Sequence, residues 1–121
     1  MINILIGIVS ILFLTVGQTL LKLTMNKTGG LSISNLYYDF LKVFLHPLFI
    51  AGIAMYFISG LLWLYILSKM EFSVVFPLVS LSYVFALFIG YYIFNESISL
   101  NKCFGIIFIL IGVFCIVKNN F

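Results

Sequence analysis

Gln18 and Lys22 stand four residues apart in TVGQTLLKLT (Thr15–Thr24), a stretch that is apolar but for these two and its threonines. At helical pitch this spacing puts the amide and the ammonium on one face. A lysine at the bilayer centre costs about 2.5–3.5 kcal/mol, and less near a helix end, so such groups mark a hydrated path or a polar partner. Each also has a plainer account. Gln18 can make an interhelical hydrogen bond worth about 1 kcal/mol. Lys22 can snorkel to the interface. Further side chains able to meet something polar recur on later segments: Tyr56 and Trp63, then Ser80 and Tyr83. Enzyme chemistry needs more than this. No nucleophile stands beside a base and no carboxylates are paired within an apolar run. His46 is the only histidine and has no nearby partners for a metal set. No enzymatic activity, metal or cofactor is expected.

The elements that position these groups must be membrane helices. Of 121 residues, 64% are hydrophobic and 7% charged, against about 25% charged in a typical soluble domain. No soluble fold of this size can hide so much apolar surface, so lipid is its solvent. The net charge of +3 comes from six lysines set against Asp39, Glu71 and Glu96. These charges lie mostly at segment ends, which argues against nucleic-acid binding. MINILIGIVS has no basic region before its apolar run and no small-residue cleavage site after it, so it reads as a retained helix, not a signal peptide. Cys103 and Cys115 are twelve residues apart on one helix. That is roughly 18 Å, too far for a disulfide.

A hydrocarbon core about 30 Å thick takes about 20 apolar residues per helix. Four spans follow: Ile2–Met25, Leu48–Ser68, Phe72–Phe94 and Lys102–Val117, the last short by that measure and extendable through Leu100 and Phe121. Residues 1–121 thus read as a single all-α, four-helix transmembrane domain. Pro47 suits the first turn of the second helix. SKME (Ser68–Glu71) reads as a tight turn, so the second and third helices form an antiparallel hairpin. Pro77 should kink the third as a hinge, freeing the carbonyl near Ser73. In the long first loop, Leu36, Phe40, Leu41, Phe44 and Leu45 form an apolar stripe with Asp39 and Lys42 off it. That pattern predicts a short helix on the membrane surface, with an ordinary partly ordered loop as the alternative. Lysines barely choose an orientation: Lys69 and Lys118 lie on one side, Lys27, Lys42 and Lys102 on the other.

Small and polar residues line up within the spans. Asn3, Gly7, Ser10, Leu14, Gln18 and Lys22 share a face of the first, and Gly52, Tyr56, Ser59 and Trp63 one of the second. Pro77, Ser80 and Val84 align on the third, with Tyr83 adjacent. Such faces meet each other or a hydrated cavity, and close packing alone also explains small residues in membrane helices. Gly105 and Gly112, a heptad apart in GIIFILIGV, make a notch suited to dimerisation.

GQTLLK, the run GLLWLYILSKMEFSVVFPLVSLSYVFALFIGYYIFNESISL and GIIFILIGV together resemble the drug/metabolite transporter superfamily, in its four-helix, small multidrug resistance-like branch. Within that branch, the exporters of drugs carry a membrane-embedded glutamate eight residues before a lysine and three before a glycine. Counting back from Lys22 and from Gly17 lands on Leu14, so proton-coupled cation export is not expected. Gly17, Gln18 and Lys22, with Phe76, Pro77, Leu78, Ser80 and Leu81, are instead similar to the aminoarabinose–undecaprenyl-phosphate flippase subunits. Glu96 falls on the acidic position that closes the third helix across the superfamily.

This resemblance implies a multi-pass protein of the bacterial cytoplasmic (inner) membrane. It would flip a polyprenyl-phosphate-linked sugar, or a similar anionic lipid, with the head group in a polar groove and the tail in lipid. On that reading Lys22 pairs with the phosphate while Gln18, Ser80 and Tyr83 bond the phosphate or sugar. Tyr56 and Trp63 stack on the sugar or line the exit for the tail. Glu96 either ties its turn near Lys102 or contacts an amino group on the sugar. Four helices are too few to enclose such a groove, so a dimer is expected, a homodimer (antiparallel in one form) or a heterodimer with a paralogous subunit. Two rivals stay open: a cation exporter of the small multidrug type, and a non-transporting accessory subunit of a glycolipid pathway. Lipid, sugar, orientation, energy coupling and the role of the long first loop do not follow from the sequence.

Overall fold

Helix α1 (Ile2–Thr28) runs three residues beyond its expected end at Met25, because it closes only on Gly29, in left-handed backbone; Thr24 and Thr28 return their hydroxyls to Leu20 O and Thr24 O. Twenty-seven residues make about 40 Å of helix, more than the hydrocarbon core needs, so an end of α1 projects towards the interface. The computed structural model describes residues 1–118. Within them follow α2 (Leu36–Leu45), α3 (Pro47–Lys69), α4 (Phe72–Val79), α5 (Leu81–Tyr92) and α6 (Leu100–Val117), with no strand among the described residues. Four helices are long and apolar enough to cross a membrane: Ile2–Thr28, Pro47–Lys69, Phe72–Tyr92 and Leu100–Val117. The chain is an all-helical, multi-pass membrane protein.

The helix starts carry their own caps. Pro47 opens α3 in the first turn, and His46 Nδ1 accepts the Leu48 N–H at 3.2 Å, so the lone histidine is a helix cap. Ser99 Oγ accepts from the Lys102 N–H and starts α6 at Leu100, two residues before the expected Lys102. Phe121, which was to lengthen this helix, lies outside the described residues.

The third span is interrupted at Ser80, three residues beyond Pro77. There the Pro77 carbonyl accepts both the Ser80 N–H, at 3.1 Å, and the Ser80 hydroxyl. A tight i→i+3 turn replaces the regular ladder at this point. The span ends at Tyr92 and not Phe94.

α1 packs most extensively on α3 and also touches α2, α4 and α5. Two backbones nearly meet where α1 and α3 cross. A Cβ at Gly17 would lie 3.0 Å from Gly52 O, and one at Gly52 would lie 3.1 Å from Gly17 O. Closer to the start of α1, Ser10 and Ser59 each donate a hydroxyl to the other's backbone carbonyl at 2.9 Å. Their shared polar face is thus interhelical packing. Ile4, Ile11, Val74, Leu78, Val113 and Val117 then join α1, α4 and α6 in an apolar core.

In α2 the inward contact comes from Val43, 1% exposed, while the expected stripe of Leu36, Phe40, Leu41, Phe44 and Leu45 faces outward. Val43 is the buried side chain of the helix, and Phe44, though largely exposed, packs edge-on against Phe49 of α3 with 4.9 Å between ring centroids. Asp39 closes the preceding loop by accepting from Ser32 N–H and Oγ at 2.8 and 2.7 Å, and these bonds hold its carboxyl below the ordinary carboxylate value. α6 is the least covered span: its most apolar window is only 11% buried, and Gly105 and Gly112 face open space.

Candidate functional site

Lys22 lies six residues before the end of α1, about 9 Å along the axis. Across from it the chain leaves α5 and doubles back. Asn95 adopts left-handed backbone (φ 54), which asparagine tolerates better than most residues, and the Glu96 N–H bonds Gly90 O at 2.9 Å. Glu96 consequently folds over Gly90, where a Cβ would stand 2.5 Å from its Oε2. From that seat Glu96 Oε1 accepts a hydrogen bond from Lys22 Nζ at 2.7 Å, and the Lys22 ammonium lies 4.6 Å from the Phe94 ring centroid. The bond from Lys22, then its charge, hold the Glu96 carboxyl below its ordinary value; Lys102 adds to this and desolvation opposes it.

The pair stands in a partly open cleft of about 210 Å³ between α1 and α5, which Gln18, Thr15 and Thr19 also line. Thr15 and Thr19 spend their hydroxyl protons on Ile11 O and Thr15 O. Among the described residues no buried side-chain nitrogen or oxygen lacks a partner. Polar capacity for a ligand is therefore concentrated on the exposed groups of the cleft, Gln18, Lys22 and Glu96.

Tyr56 and Trp63 lie elsewhere, in a chamber of about 280 Å³ with Leu14, Phe76, Ser10 and Ser59. Its polar floor is the closed serine pair, and Trp63 packs edge-on against Phe76, so the space is apolar and aromatic. Leu14 is eight residues, about 12 Å, from Lys22 along α1, towards the start of the helix. Tyr83 lines a third, wide groove of about 390 Å³ with Glu96, Lys102 and Gly105. Ser80 lines none of these three clefts and binds Pro77. The anticipated residues therefore divide among separate places: Gln18, Lys22 and Glu96 together, Tyr56 and Trp63 together, Tyr83 across the loop, Ser80 in the helix break. Glu96 belongs to both the first cleft and the third groove. It does not tie its own turn to Lys102, whose ammonium goes to Ser97 O at 2.8 Å.

Sequence reasoning missed Gly90 and Phe94. Neither has a local signal, since each matters only through the fold-back that brings Glu96 to a helix 74 residues earlier.

The EamA-like transporter family matches residues 1–118. The chain is 36% identical over 116 residues to the probable 4-amino-4-deoxy-L-arabinose-phosphoundecaprenol flippase subunit ArnF of Photorhabdus laumondii, covering 91% of this chain and 92% of the relative. It is 38% identical to the same-named protein of Yersinia enterocolitica, over 91% and 89% of the two chains. A probable ArnE subunit of the same flippase from Pseudomonas syringae is 37% identical, over 46% of this chain and 53% of the relative. No solved structure matches. With a family match from Met1 to Lys118 and full-length relatives above 30% identity, the chain belongs to the EamA-like transporter family.

Proposed function

We propose that the chain is one subunit of a flippase that moves a sugar linked to polyprenyl phosphate across the cytoplasmic membrane. The observation that carries this reading is the cleft that brings Lys22, Gln18 and Glu96 together in the C-terminal half of α1, with an aromatic chamber about 12 Å away along the same helix. The names of the ArnF and ArnE relatives supply the substrate class, an amino sugar on phosphoundecaprenol.

An anionic head cannot cross lipid without partners for its charge. The Lys22 ammonium gives a phosphate oxygen a charge-assisted hydrogen bond, and the Gln18 amide donates beside it. The tail needs no such help. Its first units lie against Leu14, Tyr56 and Trp63 and the remainder stays among lipid tails. Tyr83 meets the sugar from the far side of the Glu96 loop, and the break between Pro77 and Ser80 lets α4 and α5 bend during passage. No covalent step is involved, so the protein is a transporter and not an enzyme. No carboxylate lies within a span to couple protons, so transport runs down the lipid gradient.

The uncovered face of α6 supports assembly as a dimer, and the two subunit names among the relatives favour a paralogous partner over an identical one. Native mass spectrometry of the full chain in mild detergent, alone and with a paralogous subunit, tests the reading. Wild type is expected to carry a polyprenyl-phosphate species that Lys22→Ala loses. Equal lipid in both proteins returns Lys22 to a snorkelling role and favours an accessory subunit that transports nothing.

A further inference from the structure

We infer that Glu96 is the residue that selects a head group bearing an ammonium as well as a phosphate, and that Gly90 positions it for that task. The inference rests on the flippase reading. The cleft contains a contradiction for any purely anionic ligand: Lys22, the cation it offers, already has a carboxylate 2.7 Å away. A phosphate arriving at Lys22 would stand against Glu96 and repel it. A head group with both charges resolves this. Its phosphate takes Lys22, its ammonium takes Glu96, and one ion pair is exchanged for two with no charge left alone.

Geometry allows the exchange. The Lys22 and Glu96 side chains are 51% and 45% exposed, so Lys22 can swing aside to a ligand without repacking the interior. Their contact is screened by water and is a weak competitor for a ligand that partly desolvates the cleft. The backbone around Glu96 is, by contrast, closely fixed. Its N–H is bonded to Gly90 O, Asn95 turns the chain through left-handed backbone, and the carboxylate lies where a Cβ on residue 90 would collide with it. A turn stapled this closely keeps the carboxylate at the cleft even after Lys22 has been drawn to a phosphate. Lys102 also neighbours Glu96 but hydrogen-bonds Ser97 O, so among the described residues Lys22 is the side chain in ion-pair contact with the carboxylate that a cationic group would replace.

The test uses the full chain in lipid nanodiscs and two synthetic polyprenyl-phosphate sugars that differ only in an amine against a hydroxyl. Ligand competition read by native mass spectrometry gives the ratio of their affinities. Wild type is expected to favour the amine by about tenfold, the weight of one charged hydrogen bond. Glu96→Gln should bring the ratio close to one, because the amine compound loses more affinity than the hydroxyl compound. Gly90→Ala, which leaves Glu96 in place chemically but displaces it, should also lower the ratio. If Gly90→Ala weakens both ligands together and leaves the ratio unchanged, Gly90 acts on stability alone and its positioning role is overturned. A tenfold preference that survives Glu96→Gln overturns the inference and leaves the flippase reading intact, as does equal binding of both ligands to wild type. Failure of wild type to bind either compound overturns the flippase reading, and this inference with it.

Discussion

A Cβ added at Gly17 would stand 3.0 Å from both Gly52 O and Tyr56 Cδ2, whereas one at Gly60 would meet nothing within 4 Å. Gly17→Ala is therefore expected to push α1 from α3 and cost about 1–3 kcal/mol, with Gly60→Ala close to neutral. Thermal melts of both variants in one detergent check the contrast. Glu96 makes a second prediction at this scale. Its folded-state carboxyl is held below the ordinary 4.5, so the folded chain binds protons there less readily than the unfolded chain. The stabilisation from this tie is fully present above the unfolded value and is lost as pH falls through the lower, folded one. Hydrogen exchange in the segment from Ile93 to Ser99, corrected for its intrinsic pH dependence, should thus be unchanged from roughly pH 8 to pH 5 and accelerate only under stronger acid. Acceleration near neutral pH would mean that another group holds the loop.

Helices were legible because lipid imposes one rule on every span: each backbone N–H and C=O must be satisfied within its own segment. Apolar length therefore located all four spans, with errors only at ends such as those set by the caps Ser99 and Gly29. The spacing of Gln18 and Lys22 was equally legible, being local to one helix. Contacts between distant segments were not. Nothing near Glu96 in sequence announces Lys22, and nothing in α2 singles out Val43 as the side chain that is buried against the rest of the protein. The break at Ser80 was half legible. Pro77 announced a disturbance, but its position depends on which group the Pro77 carbonyl accepts. Pro77→Ala restores a backbone donor and up to about 3 kcal/mol of helix propensity. It is expected to straighten Phe72–Tyr92, seen as a longer and narrower distance distribution between spin labels at its two ends, and to slow transport. Ser80→Ala should leave the break in place, because the Ser80 N–H keeps its own bond to Pro77 O.

The molecule as a whole is organised around α1, with α3 closely applied and α6 held by few contacts. If the open notch of α6 receives a second subunit, Gly105→Leu together with Gly112→Leu should sharply reduce the dimer seen by native mass spectrometry, with helix content unchanged by circular dichroism. A retained dimer would move the interface to another face. The Lys22–Glu96 pair carries a different consequence at this scale. Its charges sum to zero, and so do those of a head group with one phosphodiester and one ammonium. Membrane voltage does work of about 2.3 kcal/mol per 100 mV on each net charge carried across, and on this cargo it does none. Translocation would then be electrically silent: collapsing the voltage of an energised vesicle should leave the rate as it was, and only the lipid imbalance between leaflets would set its direction.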